Sequence, residues 1–262
     1  MTMTWEEQQT LIVKVEKRFI PKLESEIKSM FREGLELYRQ GRQDELNNKF
    51  FDPELLALLI EIYQKAGVPM ARFVLKSMPS VKQLQKKAVT GRMGISAEWL
   101  SVIKNYLSQF ALEFVTDIIG TIREDMINLF QKAQEEGWSY ERLANEMLDT
   151  GLPLRRARAI ARTEAHRGAM VGSVTGANSL PYEVKKKWLS GNDARVRRNP
   201  KSRFDHAELN GQEREMNEPF MNEEAIMFPG DPKACAGNTI QCRCVLNYIP
   251  KRDARGMLIL KK

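Results

Sequence analysis

The sequence predicts an α+β protein, with a helical first two-thirds built as a bundle of long helices and a small, loop-rich C-terminal module that contains β-strands. Up to about residue 177, apolar residues recur at spacings of three and four, which is typical of amphipathic helices. Beyond that point the turn-forming segments SGND, RNPKS, LNGQ and FPGDP divide the chain into short pieces, which indicates hairpins and loops. A hydrophobic content of 42% in 262 residues is enough to build a core.

The first two helices are predicted from their apolar stripes and their end signals. Ile20, Leu23, Ile27 and Met30 form one stripe, and we expect Pro21 to kink or divide this segment. The second helix lies in FDPELLALLIEIYQKAG. There Asp52 can cap the helix, Pro53 suits its first position, and Gly67 is predicted to end it in a left-handed conformation.

The longest apolar pattern predicts a helix over residues 96–136. Its apolar residues keep a spacing of three or four for about nine turns: Trp99, Ile103, Tyr106, Phe110, Phe114, Ile118, Ile122, Met126 and Phe130. Apolar neighbours widen the stripe beyond a two-helix seam, so this helix is either the centre of a bundle or a surface for a partner chain. Gly120 indicates a bend or a close approach.

Two more helices precede the C-terminal module. The first is predicted from the capping residue Ser139 to about Leu148, with Gly151 as its stop. The second begins at Pro153 and extends to about residue 174. Arg155, Arg158 and Arg162 fall on one face of it, which is either a solvated face or a site for phosphate or an acidic partner.

The N-terminal residues and the cysteine content exclude several classes of protein. No apolar run has the length of a membrane span, and acids and lysines interrupt the start before a signal-peptide core could form. Three cysteines confined to residues 235–244 do not make a disulfide framework. We therefore expect a protein of the reducing cytosol, with no membrane partner.

The net charge of +7 is concentrated in one stretch, residues 183–203, which holds eight basic and two acidic side chains. Residues 204–231 hold eight acids against one arginine. This segregation is compatible with solvated faces, with internal ion pairs, or with an interface for nucleic acid or an acidic partner. The residues predicted for such an interface are Arg155, Arg158, Arg162, Lys185, Lys186, Lys187, Arg195 and Arg198.

The thiols admit three interpretations. If QCRCVLNYI is a strand, Cys242 and Cys244 point to the same face, because side chains alternate along a strand. With Cys235 and His206 they could form a Cys3His zinc site, although structural zinc sites usually use a wider cysteine spacing. A disulfide from Cys235 to either of the other two, or simply reduced and buried thiols, would also explain them.

Separated motifs of the last third occur together in one known family. They are ARAIARTEAHRGAM, KKWLSGNDARVR, DHAELNGQ, the pair Pro219-Phe220, FPGDP and CRC. Over residues 140–247 the chain resembles the head-morphogenesis, or Mu F-like, minor capsid proteins of tailed bacteriophages. It departs from many relatives at Asn210, where they have Asp, and at Gln241, where they have Asn.

The resemblance implies a division of the chain and a set of structural residues. It implies a variable, partner-binding helical domain over 1–138, the Mu F-like domain over 139–250, and a basic tail over 251–262. The motif residues to which it gives a structural role are Arg162, Thr163, Glu164, Trp188, Asp193, Arg197, His206, Gly211, Phe220, Pro229, Cys242, Arg243 and Cys244.

Among these motif residues we expect ion pairs and an aromatic core. Glu164 is predicted to pair with Arg197 or Arg243, and Asp193 and Asp205 to neutralise the basic run. Trp188 and Phe220 are expected to supply the core of the small module, because such a module depends on a few large side chains.

The resemblance further implies a non-enzymatic minor head protein that docks on the portal protein during head assembly. The scaffold, the major capsid protein and packaged duplex DNA are its other expected partners. The expected location is the virion, inside the head or near the portal, after assembly in the host cytoplasm. The alternatives are a DNA-binding module or a metal-dependent phosphodiesterase or nuclease that uses His206, although the chain has only two histidines and neither lies in a paired metal-binding pattern. No cofactor is expected beyond the zinc considered above.

Overall fold

The helices of the first 178 residues pack around a shared apolar core, and a small antiparallel module follows them. The computed structural model describes residues 3–48, 52–79, 97–191 and 193–261. The helices are α1 (Trp5–Arg39), a 3₁₀ helix (Gln43–Asn48), α2 (Pro53–Ser77), α3 (Ala97–Glu135), α4 (Tyr140–Leu148), α5 (Leu152–Asn178) and the short α6 (Ala236–Thr239). The strands are β1 (Val184–Leu189), β2 (Glu213–Glu215), β3 (Phe220–Asn222), β4 (Glu224–Ile226) and β5 (Val245–Pro250). The predicted α+β class is confirmed.

Side-chain caps fix where several helices begin. The Asp52 carboxylate accepts a hydrogen bond from the Leu55 amide at 2.9 Å, with Pro53 at the first position, and the Ser139 hydroxyl accepts one from the Arg142 amide. Both caps confirm the prediction and satisfy amides that have no partner within the helix. Helix α1 continues through Pro21, so the expected division there is wrong.

Helix α2 does not end at Gly67 as predicted, because it continues to Ser77. Gly67 lies instead where α2 crosses α5, and a Cβ on Gly172 of α5 would come within 2.6 Å of the Gly67 Cα atom. Gly168 and Gly176, about one turn to either side of Gly172, also face α2 at short distances. Glycine at these positions lets the two helix backbones approach closely.

Helix α3 confirms the longest predicted helix, and from Phe114 onward it contributes to the core. Phe114, Ile122, Met126 and Phe130 are buried. The side chains of Trp99 and Ile103 lie outside the described residues. A Cβ on Gly120 would meet no described atom within 4 Å, so the expected close approach is not found there.

Helix α5 carries much of the family motif and is longer than predicted. Gly151 precedes its first residue with φ +81°, so this glycine starts α5 as well as following α4. The helix continues to Asn178. Ala161, Ala165 and Ala169 are almost fully buried along it, which places α5 inside the helical core.

The strands form two small antiparallel sheets, one in the order β2-β1-β5 and one that pairs β3 with β4. β5 begins at Val245, so the predicted strand over QCRCVLNYI is too long and Cys242 and Cys244 lie in the segment before it. The predicted tail folds back beside β1, because the Glu183 amide donates to the Ile259 carbonyl at 2.8 Å and the Lys261 amide donates to Pro181.

The C-terminal module has a core of its own that borders the helical core. Tyr182, Trp188, Phe220 and Tyr248 are its largest fully buried aromatic side chains. Val74 at the end of α2 also packs into it. The division at residue 138 stays a prediction. Among the described residues, no helix combines the length and apolar character needed to cross a membrane.

Candidate functional site

The centre of the C-terminal module holds a buried group of one histidine and two cysteines. His206, Cys242 and Cys244 are 2%, 2% and 3% exposed. The Nδ1 atom of His206 lies 3.5 Å from the sulfur of Cys242 and 3.5 Å from the sulfur of Cys244. The three potential ligand atoms all lie within 4.8 Å of one another. Two of the three donor types that zinc prefers are therefore present in one place.

A chain of hydrogen bonds fixes the imidazole of His206. Its Nε2 atom lies 2.6 Å from Oδ1 of Asn238, and the Nδ2 amide of Asn238 donates to Glu224 at 2.7 Å. Since Asn238 uses its nitrogen toward the carboxylate, its oxygen must accept from His206, so the ring proton is on Nε2. In the neutral ring the lone pair of His206 is then on Nδ1, which lies 3.5 Å from both sulfurs.

Trp188 closes another side of this group. Its ring contacts His206 edge to face at 5.5 Å and Phe220 at 5.2 Å. The indole Nε1 is buried and makes no hydrogen bond of standard geometry among the described residues. Burial raises the pKa of the Cys244 thiol, while the indole N–H of Trp188 acts in the opposite direction. The hydrogen bond from Cys244 lowers the pKa of the Cys242 thiol.

Cys235 does not join this group, so the predicted Cys3His set is not formed as proposed. Cys235 is half-buried at the start of α6, and its amide donates to the Glu224 carboxylate at 3.1 Å. All three cysteines are free, so neither predicted disulfide is present.

A second buried polar group lies between α2, α3 and α5. The Tyr63 hydroxyl donates to Glu164, and Arg167 donates to both Glu164 oxygens at 2.8 and 2.9 Å. The guanidinium of Arg167 also stacks 3.9 Å from the Phe114 ring centre. The expected pairing of Glu164 with Arg197 or Arg243 is wrong, because α5 directs Glu164 into the helical core.

The two predicted aspartates instead hold loops of the module. Asp193 pairs with Arg243 at 2.5 Å and with Arg195 at 3.2 Å. The hydrogen bond from Arg243 lowers the pKa of Asp193 to about 2. Asp205 accepts from the Asn199 and Glu208 amides, which lowers its pKa.

Other motif residues connect α5 to the loops. The hydroxyl of Thr163 accepts from the Gln241 amide at 3.1 Å, and Arg162 pairs with Glu16 of α1 at 3.5 Å. Arg197 donates to the Ile240 carbonyl at 2.5 Å, and its own carbonyl accepts from the His206 amide.

The segments LNGQ and FPGDP, which were predicted as turns, each contain a glycine with positive φ. Gly211 adopts φ +84° after Asn210. Pro229 is buried beside Gly230, which has φ +78° and lies against the ring of His166. His166 itself lies 2.6 Å from the Cys244 carbonyl through Nε2, so the second histidine supports the cysteine segment from α5.

The structure separates the residues of the predicted basic interface. Lys186 is only 1% exposed and donates to the Met216 and Met227 carbonyls, so its place in that interface is wrong. It points inward because residues alternate along β1, and its neighbours point outward. Lys185 and Lys187 lie opposite Glu215 and Glu213 on β2 and pair with them at 3.9 and 3.4 Å.

The arginines of that interface fall into two groups. Arg195 pairs with Asp193, and Arg198 is engaged as well. Arg155 and Arg158 of α5 are exposed, and neither has an ion-pair partner among the described residues. Part of the positive charge of residues 183–203 is thus neutralised by ion pairs within the module, which was one of the three interpretations of the charge segregation.

Asn238 and Glu224, which orient His206, were not predicted. The segment CAGNT contains an asparagine close to the cysteines. No periodic pattern connects that asparagine to His206, 32 residues earlier. Only the fold brings them together.

The comparisons with known proteins concern the region that contains this site. Residues 124–247 match the family model described as phage Mu protein F like protein. The comparisons with curated proteins and with solved structures found no match. The matched range begins within α3 and ends within β5, so it includes α5, Trp188 and the His206 group. The match confirms the predicted resemblance: residues 124–247 are similar to the Mu F-like family, which suggests a protein of phage head morphogenesis.

Proposed function

We propose that the protein is a minor head protein of a tailed bacteriophage that docks on the portal protein during head assembly. The family match over residues 124–247 carries this proposal, because such a domain implies association with the phage head. Its role is structural, and its buried polar groups maintain the shape of the module. Scaffold and major capsid protein are further candidate partners of the same kind.

The distribution of exposed apolar side chains supports a protein-docking role for the C-terminal module. Of the seven large apolar side chains that are exposed among the described residues, five lie in this module. These five are Met221, Ile240, Met257, Ile259 and Leu260. Exposed apolar groups clustered in one part of a protein are typical of interaction surfaces. The folded-back segment 251–261, which carries three of them together with basic residues, is the contact we propose for the portal.

Co-purification with the portal protein of the same phage tests this proposal. The full chain carries an affinity tag and is co-expressed with the portal protein, and the pair is then analysed by size-exclusion chromatography. We expect one complex. We expect the exchange Met257→Ser with Leu260→Ser to weaken it at least tenfold, because it removes exposed apolar surface without touching the core.

The matched control is Val102→Ser with Tyr140→Ser, which removes exposed apolar side chains from helices α3 and α4. This control variant should bind as the wild type does. Separate elution of the two wild-type proteins, at low and at physiological salt, would refute docking on the portal. If both double variants weakened portal binding equally, segment 251–261 would not be the specific contact.

A second candidate function is contact with packaged DNA, and the exposed Arg155 and Arg158 favour it. Both lie on α5 without an ion-pair partner among the described residues, so their charges are available to phosphate. Duplex DNA binding by the full chain should then fall log-linearly with salt concentration. Arg155→Glu with Arg158→Glu should weaken it more than Lys14→Glu with Lys17→Glu, an equal charge change at exposed positions on α1. No measurable affinity at low salt would exclude this function.

A further inference from the structure

We propose that His206, Cys242 and Cys244 bind one divalent transition-metal ion, zinc in the cell, at the centre of the C-terminal module. The geometry of the three side chains, the groups that orient them and the charge of the buried complex support this site independently of the head-assembly role. The zinc considered from the sequence required Cys235, which lies outside this group.

The distances from His206 Nδ1 to the two sulfurs fit a bound zinc ion. Zinc–nitrogen bonds of about 2.0 Å and zinc–sulfur bonds of about 2.3 Å at tetrahedral angles place nitrogen and sulfur about 3.5 Å apart. The two distances from His206 Nδ1 to the sulfurs are both 3.5 Å. A small shift of the side chains would therefore suffice to admit the ion.

Hydrogen bonding uses only one of the two short contacts between Nδ1 and the sulfurs, because the second thiol can donate to the first instead. The Nδ1 atom has one lone pair in the plane of the ring, and it can accept one S–H bond well, but two sulfurs lie at the same distance from it. A metal ion on that lone pair contacts both sulfurs at once. The asparagine that holds the proton on Nε2 is the kind of outer partner that fixes metal-binding histidines.

The indole of Trp188 is a further observation that points to a ligand. Trp188 is 0% exposed, and its Nε1 makes no hydrogen bond of standard geometry among the described residues, although it interacts with the Cys244 sulfur. A buried donor without an acceptor costs free energy. A Cys244 thiolate bound to a metal is a stronger acceptor than a neutral thiol, so the bound state gives this N–H a suitable partner.

The charge of the complex favours a divalent ion. Two thiolates and one neutral imidazole carry two negative charges, which a divalent cation neutralises. The burial of a neutral complex avoids the large free-energy penalty of an uncompensated ion. Thiolate and imidazole donors favour zinc over magnesium or calcium, which prefer oxygen. Bound water can complete the coordination of a site that has three protein ligands.

Such an ion would cross-link two distant parts of the module. His206 lies in the loop between β1 and β2, and Cys242 and Cys244 lie 36 and 38 residues later, just before β5. Binding to the folded chain alone stabilises it by mass action. We therefore expect removal of the metal to lower the thermal unfolding midpoint of the protein.

The first experiment measures metal content in the full chain. The protein is expressed with zinc in the medium, purified without chelator, and analysed by elemental mass spectrometry and by thiol titration. We expect about one zinc per chain and, in the native protein, two of the three thiols protected from reagent until the metal is removed. Cys242→Ser and Cys244→Ser should lose the zinc. Cys235→Ser is the matched control and should retain it.

A second experiment does not depend on variants that remain folded. The metal-free wild type is titrated with Co²⁺, whose thiolate complexes absorb in the near ultraviolet and visible range. Saturation at one equivalent, with displacement by Zn²⁺, supports the site. A folded wild type that binds neither ion, or that contains a disulfide between Cys242 and Cys244, overturns the proposal. Loss of the zinc from Cys235→Ser would also overturn it, because the ligands would then be different.

Discussion

At the residue scale, Lys186 shows that a lysine in a basic run of the sequence can be buried, although the sequence pattern predicted it in an exposed interface. Its ammonium group lies in the core of the module, donates to two carbonyls and lies 5.4 Å from the Phe220 ring centre. Burial lowers its pKa from 10.5 to about 8, although the Asp231 and Glu218 charges oppose this shift.

The lowered pKa of Lys186 predicts a pH dependence of stability. Between pH 8 and 10.5 the unfolded chain binds more protons at this lysine than the folded chain, so the free energy of unfolding rises with pH in that window. The wild type should gain about 1–3 kcal/mol there relative to Lys186→Met. Urea unfolding at pH 7.5 and pH 10.5 measures this gain. Lys185→Met, at a partly exposed neighbour, retains Lys186 and should keep the wild-type gain. Parallel pH profiles for Lys186→Met and wild type would contradict the prediction.

The Glu164–Arg167 pair supports a prediction about buried charge. Arg167 is 6% exposed, so Glu164→Gln leaves its cation without a counter-charge in the helical core. We expect a loss of about 3–5 kcal/mol in the free energy of unfolding. Chemical denaturation measures it. The double change Glu164→Gln with Arg167→Met should recover part of the loss, and an equal or larger loss in the double variant would contradict this account.

Residue identities predicted part of the buried cluster and could not predict the rest. His206, Cys242 and Cys244 do lie together, but the strand from which the shared face of the two cysteines was argued begins only at Val245, and their role as metal ligands stays a prediction. Cys235 was wrongly included, because its position at the start of α6 depends on the hydrogen bond between its amide and Glu224. Such contacts join residues that are distant in sequence, so local patterns carry no record of them.

At the scale of elements, the crossing of α2 and α5 depends on the absence of side chains. Gly172→Ala places a Cβ within 2.6 Å of Gly67, so the helices must separate or shift. Overpacking of this kind costs about 1–3 kcal/mol. Thermal and urea unfolding should show that loss.

The control for this change is Gly120→Ala in α3. No described atom lies within 4 Å of a Cβ at that position, so only helix propensity changes. Alanine should therefore be neutral or stabilise the chain by up to about 1 kcal/mol. Equal effects of the two alanine substitutions would show that the close approach of α2 and α5 does not require glycine at position 172.

The same crossing explains which parts of the fold could be predicted. Apolar periodicity and the caps at Asp52 and Ser139 correctly gave the helices, because these signals act within a few residues. Gly67 was misassigned as a helix end, since a glycine required by a distant helix has the same local sequence signal as one required by a turn. Likewise, the start of β5 at Val245 is set by pairing with β1, which the alternation of QCRCVLNYI does not reveal.

At the scale of the whole molecule, the first helix is tied to the last strand. Near the N-terminus of α1, the indole of Trp5 donates to the Arg243 carbonyl at 2.8 Å. The side-chain amide of Gln8 donates to the Leu246 carbonyl at 2.9 Å. Val245 of β5 belongs to the helical core. The N-terminal helices therefore support the segment that holds the two cysteines.

This connection predicts that the helical part and the C-terminal module unfold together. Gln8 is fully buried, and Gln8→Ala leaves the Leu246 carbonyl without this donor, which costs about 1–3 kcal/mol. Unfolding is followed by far-ultraviolet circular dichroism for the helices and by hydrogen exchange of the β5 amides for the module. We expect both probes to report the same midpoint and to shift together in Gln8→Ala, whereas Gln131→Ala, at an exposed position of α3, should shift neither. Two separate wild-type transitions, or a shift confined to the helical signal, would mean that the module folds independently of α1 and that the polar contacts to β5 do not couple the two cores.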